Sequence, residues 1–100
     1  MATTTKALGR GAFATTSATL YTVPAATTAV VTNIVIVNTA GTAGSFTLAL
    51  NGTSLATTVA CAANSITTLD LKQVLSATQT ITGLASATTI NYHISGVEIA

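Results

Sequence analysis

"AVVTNIVIVN", residues 29–38, runs almost without polar relief. Read as a strand, it carries Val30, Ile34 and Ile36 on one face and Val31, Val35 and Val37 on the other. Side chains alternate across a strand, and an antiparallel sheet in a small domain usually keeps one face wet. β-branched residues suit a pleated, half-buried surface, so the stretch reads as β, and as apolar on both sides. One side belongs in a core. The other, with Val31, Val35 and Val37, needs a cover that a lone sandwich does not supply and that a second subunit would.

Composition points the same way. One hundred residues make one domain, which buries roughly two-thirds of its unfolded surface. Only 5% of the residues are charged, against about 25% in an ordinary soluble domain. Thr and Ala fill the gap. A net charge of +1 does little to keep copies apart, so the surface reads as one covered by neighbours. Abundant aliphatics and a single Pro exclude a disordered chain. Lys6, Arg10 and Lys72 are too few to steer the protein to nucleic acid. Cys61, alone in "VACAA", has no cationic neighbour in sequence and reads as a buried, unreactive thiol with no intrachain disulfide. "MATTTKALGRGAF" lacks the apolar centre of a secretory signal, and residues 29–37 are too short for a membrane helix. The expectation is a soluble chain with no membrane partner.

Residues 1–19 hold two of the three cations, the pair Gly9 and Gly11, and no sustained periodicity, which suggests an extended N-terminal arm ahead of a β domain at 20–100. Leu8 and Phe13 favour docking of that arm on a neighbour. Beyond it, "TLYTV" ends at Pro24, which cannot donate to a ladder. "NTAGTAG" follows the aliphatic strand as a loop, and "SFTLAL" follows the loop. Asn51-Gly52 is a strong two-residue hairpin signal. It would face Leu50 to Thr53, Leu48 to Leu55 and Phe46 to Thr57. "SITTLDL" and "QTITG" read as strands, with "KQVLSA" between them as a loop or helical turn. In "TINYHISGVEIA" the apolar parity changes midway, and a bulge at Ser95–Gly96 would return Val97 and Ile99 to the face of Ile90, Tyr92 and Ile94. About seven short strands and no convincing helix predict an all-β fold, an antiparallel β-sandwich or jelly-roll-like barrel.

Chemistry has little material. His93 is the lone histidine, and Asp70 and Glu98 are the lone carboxylates, whereas catalysis or metal binding needs convergent titratable groups. Ser95, His93 and Glu98 share one strand, with Glu98 of opposite parity unless a bulge intervenes. No catalytic, cofactor or metal residue is assigned, and the chain is expected not to be an enzyme or to bind a small-molecule substrate. His93 reads as an interface residue bonded across strands. "GRGAFA" fits a loose dinucleotide pattern but lacks the strand and helix that pattern requires. Asn51-Gly52-Thr53 matches a glycosylation sequon, which the hairpin turn already explains. Phe13, Phe46, Tyr21 and Tyr92 are too scattered for a stacking platform.

"LYTVPAATTAVVTNIVIVNTAGTAGSFTLALNG" and "TINYHISGVEIA" resemble the small Thr- and Ala-rich structural proteins of tailed-bacteriophage virions, some of which decorate the capsid as cement proteins. The resemblance covers residues 20–100. It implies a homotrimer on the outer surface of the virion head, whose partners are copies of itself and the major capsid protein. Lys6, Leu8, Arg10 and Phe13 of the arm, Val31, Val35 and Val37 of the strand, and His93 are the expected interface residues. The alternative is a tail tip or fibre module that binds a receptor through loops 38–45 and 84–88.

Overall fold

The computed structural model describes residues 3–100. Eight strands follow one another: β1 (Thr3–Ala12), β2 (Ala18–Thr22), β3 (Thr28–Asn38), β4 (Gly44–Leu50), β5 (Thr53–Cys61), β6 (Ser65–Leu75), β7 (Thr80–Ala85) and β8 (Ile90–Ile99). They form two antiparallel sheets, β1-β8-β3-β6 and β2-β7-β4-β5. β1 lies beside β8, β2 beside β7, β3 beside β6 and β4 beside β5. That is one long hairpin, bent at the β4–β5 turn and rolled into two layers, which is the jelly-roll arrangement. The core between the layers holds Phe13, Val31, Ile34, Ile36, Phe46, Leu48, Ile81, Ile90 and Ile94. Phe13 stacks near Phe46 and tilts against Tyr92, at centroid separations of 6.5 and 5.1 Å.

The hairpin forms at Asn51-Gly52, both with positive φ (48° and 80°) as a type I′ turn requires. Its register departs from expectation past the second pair, Ala49–Ser54. Leu50 faces Thr53, but Leu48 faces Ala56 and Phe46 faces Val59. β5 takes up the extra residues in irregularities around Leu55 and Thr58, where Thr58 has φ 47°. The "KQV" stretch continues β6 and is neither loop nor helix.

The expected arm is corrected. Residues 3–12 are β1, paired along their length with β8 of the same chain, and residues 1–2 lie outside the described residues. Leu8 and Phe13 are the reason: both are buried in their own domain's core, so the segment gains more by closing the sheet than by reaching outward.

The parity change in β8 is resolved differently from expectation. β8 runs without a bulge, and its two neighbours bulge instead. β1 gains Leu8 between Ala7 and Gly9, and β3 gains Thr32 between Val31 and Asn33. Gly96 therefore faces the core with Ile94, while Val97 and Ile99 face out. β3 changes parity at Thr32, so Ala29, Val31, Ile34 and Ile36 are buried and Val30 is on the outside with Val35 and Val37. A bulge opposite Gly96 draws the β3 backbone close: a Cβ on Gly96 would stand 2.3 Å from the Val30 carbonyl oxygen and 2.8 Å from Leu8.

Asn38 closes one end of the barrel from a fully buried position. Its Nδ2 donates to the carbonyls of Thr42 (2.9 Å), Ala62 (3.2 Å) and Cys61 (3.4 Å), and its Oδ1 accepts from the Ala40 amide at 3.1 Å. One side chain thus ties the β3–β4 loop to the start of the β5–β6 turn. Cys61 is buried beside it.

Three stability changes follow. Gly96→Ala should cost about 3 kcal/mol, the upper part of the range for overpacking, because the clash is with backbone. Gly41→Ala, where an added Cβ meets open space, should change stability by less than about 0.5 kcal/mol. Asn38→Ala should cost about 2 kcal/mol by orphaning buried carbonyls. Urea unfolding followed by circular dichroism measures all three.

Candidate self-association surface

Each sheet ends in two edge strands, and the edges pair off on opposite sides of the sandwich: β1 near β2, and β5 near β6. The β5–β6 side carries the exposed large hydrophobics: Leu55 and Val59 on β5, and Ile66 and Val74 on β6. Ile66 and Val74 are 69% and 63% exposed, values that leave about two-thirds of each residue in water. Val59 has the inward parity of its partner Phe46 and is still exposed, because the layers do not close over each other here. Leu69 and Leu71 of β6 are partly buried and pack against the core. At one end of this side, the β4–β5 turn and the end of β6 bound an open cleft of about 270 Å³, lined among others by Leu50, Thr53, Leu55, Gln73, Val74 and Gln79.

The outer face of the β1-β8-β3-β6 sheet continues the apolar surface. Cross-strand partners set it out in rows. Ile66 lies beside Val37, then Asn91, then Ala12. Thr68 lies beside Val35, then His93, then Arg10, and Val74 beside Val30, then Val97, then Thr5. Aliphatic side chains are thus concentrated on β3, with Ile66 and Val74 toward the two ends of β6 and Asp70 and Lys72 between them, and polar ones lie toward β1. The outer face of the other sheet is built from Thr and Ser: Thr47, Thr82, Thr19 and Ser54 flank Ala49 and Leu84.

Seven of the eight residues expected at an interface fall into two groups. Val35, Val37 and His93 sit together, half-buried, on the outer face, with Arg10 exposed next to His93. Leu8, Phe13 and Val31 are in the core, which corrects their expected place: the bulges at Leu8 and Thr32 and the docking of β1 turn them inward. Lys6 lies on the β1–β2 side. Sequence reasoning missed Leu55, Val59, Ile66 and Val74. Periodicity marks them as strand residues, but edge position follows from strand order, which periodicity does not contain.

The β1–β2 side is locked by polar contacts. Glu98 shares the inward parity of Gly96, and the Tyr21 hydroxyl, from the opposite sheet, donates to its Oε2 at 2.5 Å. The Lys6 ammonium donates to Oε1 at 3.2 Å. These bonds, the tyrosine's first, hold the Glu98 carboxyl below the usual carboxylate range against the opposing effect of desolvation. Burial, then the bond to Glu98, pushes the Tyr21 phenol well above its ordinary value. Ser95 and His93 lie on the other face of β8 from Glu98. Among the described residues, no group of three or more His, Cys, Asp or Glu is placed to hold a metal ion.

No family model matches the chain, and no curated protein does. Among solved structures it is similar to the Agl-KA catalytic domain, with 18% identity, 90% of this chain and 20% of that one covered, and a TM-score of 0.42. It is also similar to a pentameric capsid protein isolated from metagenomic phage sequences, with 14% identity, 90% of this chain and 60% of that one covered, and a TM-score of 0.38. The chain thus spans one fifth and three fifths of these structures.

The Tyr21–Glu98 lock should make stability depend on pH at both ends. A carboxylate held below its unfolded value, about 4.3, stabilises above that pH and loses its contribution as pH falls through the lower, folded value. A phenol held above about 10 stabilises below that pH and loses its contribution as pH rises through the folded value. Tyr21→Phe should therefore cost about 1 kcal/mol near pH 7, given the bond to a charged acceptor near the surface. The difference from the native chain should shrink below about pH 4. Thermal unfolding of both proteins between pH 2 and pH 10 checks this, and a constant difference across the acid range would count against the lock.

Proposed function

We propose that the protein is a structural component of a phage virion, a decoration or cement protein that stabilises the outer surface of the head by associating with copies of itself and with the shell. The observation that carries this reading is the β5–β6 side: four exposed aliphatic residues on the edge strands of the two sheets, beside an outer sheet face that carries Val30, Val35 and Val37 on β3. Monomeric soluble proteins rarely leave large contiguous apolar patches open, and such patches mark interaction sites. With a net charge of +1, little repulsion opposes association of copies.

The rest of the molecule supports a passive, load-sharing role rather than a catalytic one. Glu98 is engaged by Tyr21 and Lys6, Cys61 is buried, and His93 lies on an open sheet face beside Arg10. The jelly roll suits the same role, because rolling eight strands into two layers leaves short loops and broad faces. It is used in capsid proteins and also in lectins and cupins, so the fold supports the reading without assigning it.

Gold-labelled antibody against the chain, applied to particles of the phage whose genome encodes it, tests the proposal by electron microscopy. Gold over the heads is the expected result. Gold confined to the tail tip or fibres would replace it with the receptor-binding reading, and unlabelled particles would overturn any virion role.

A further inference from the structure

β6 is eleven residues long and stands at the end of its sheet, so one flank of its backbone faces away from β3. Such a flank is a template for pairing with another strand, and charges on an edge normally guard against it. The charges of β6 are Asp70 and Lys72, two residues apart on the exposed face that also carries Ile66, Thr68 and Val74. In an antiparallel pair, side chains directly opposite each other share a face. If β6 meets β6 of a second copy about a two-fold axis at Leu71, Asp70 of each strand stands opposite Lys72 of the other. Moving the axis to Asp70 or to Lys72 sets like charges directly opposite, which destabilises a pair. The two charges therefore guard the edge in neighbouring registers and complement each other in one.

That register also covers the apolar side chains. Val74 comes opposite Thr68 of the second copy and diagonal to its Ile66, roughly 7–8 Å away and within reach of long side chains. Ile66 and Val74 are the two most exposed large hydrophobics of the described residues. The irregularity of β6 between Asp70 and Gln73, opposite Thr32, falls on the axis, so both copies bend alike. An interface in which residue i meets j while j meets i is the two-fold kind.

We propose that a second copy of this chain docks edge to edge on β6, antiparallel about a two-fold axis at Leu71, joining two four-stranded sheets into one of eight. The inference rests on the self-association reading above, and it puts a two-fold contact where the resemblance implies a three-fold one. It does not depend on where in a virion the protein sits.

Light scattering after size-exclusion chromatography, over a concentration series, tests it with the native chain, D70K, K72D and the double swap D70K/K72D. Both positions are exposed, and circular dichroism confirms that each variant keeps its strands. The native chain should dimerise. Each single reversal turns two attractive pairs into two repulsive ones and should weaken dimerisation by about tenfold. The singles change net charge in opposite directions, so a shared loss does not come from overall repulsion. The double swap should restore the native affinity to within about threefold. If the singles associate as tightly as the native chain, or the double swap stays as weak as the singles, the β6 contact is overturned while self-association stands. A native chain that stays monomeric throughout overturns both.

Discussion

The close passage of β8 beneath the Val30 carbonyl is the constraint on which the rest of the first sheet depends. With no Cβ at Gly96, the β3 backbone approaches to a distance that any side chain would forbid. β8 stays regular there while β1 and β3 each take up an extra residue, at Leu8 and Thr32. Bulges of this kind re-aim the side chains that follow them. Leu8 and Val31 turn into the core, and Val30, Val97 and Ile99 turn out. One glycine thus decides which half of an almost wholly aliphatic strand is interior and which half is left to meet a neighbour.

The two sides of the sandwich then acquire different characters. At β1–β2 the layers are tied by Tyr21, Glu98 and Lys6, a cross-sheet contact that uses half of the chain's carboxylates and a third of its cations. At β5–β6 no comparable tie is present among the described residues, and Leu55, Val59, Ile66 and Val74 stand in the open. With so few charges to distribute, the placement of each one matters. Two of them, Lys6 and Glu98, close a side of the protein's own fold. Asp70 and Lys72 sit on the opposite edge, where they select a register for contact with a copy.

Much of this was legible in the chain. The all-β class, the strand character of 29–38 and the hairpin at Asn51-Gly52 follow from local rules: β-branched runs, alternation, and two residues that tolerate positive φ. The scarcity of charge pointed to a surface with few ionic groups, on which Leu55, Val59, Ile66 and Val74 stand exposed. The register beyond the hairpin was less legible, because Leu55 and Thr58 are not turn residues and nothing local announces an irregularity there. The parity break in β8 was visible, but its cause was assigned to the wrong strand. A bulge changes the relation between two strands, and one strand's pattern does not say which of them carries the extra residue.

By itself, then, the sequence determined that the chain is β throughout, where its tightest turn falls, and that it holds more aliphatic surface than one small core absorbs. Those are properties of residues and their near neighbours. Only the tertiary structure decided that residues 3–12 close a sheet instead of reaching away, that Leu8, Phe13 and Val31 are interior, and that β5 and β6 are the open edges. Edge and interior are relations among strands distant in the chain. They exist only once the eight strands have been rolled together and each backbone has found, or failed to find, a neighbour for its hydrogen bonds.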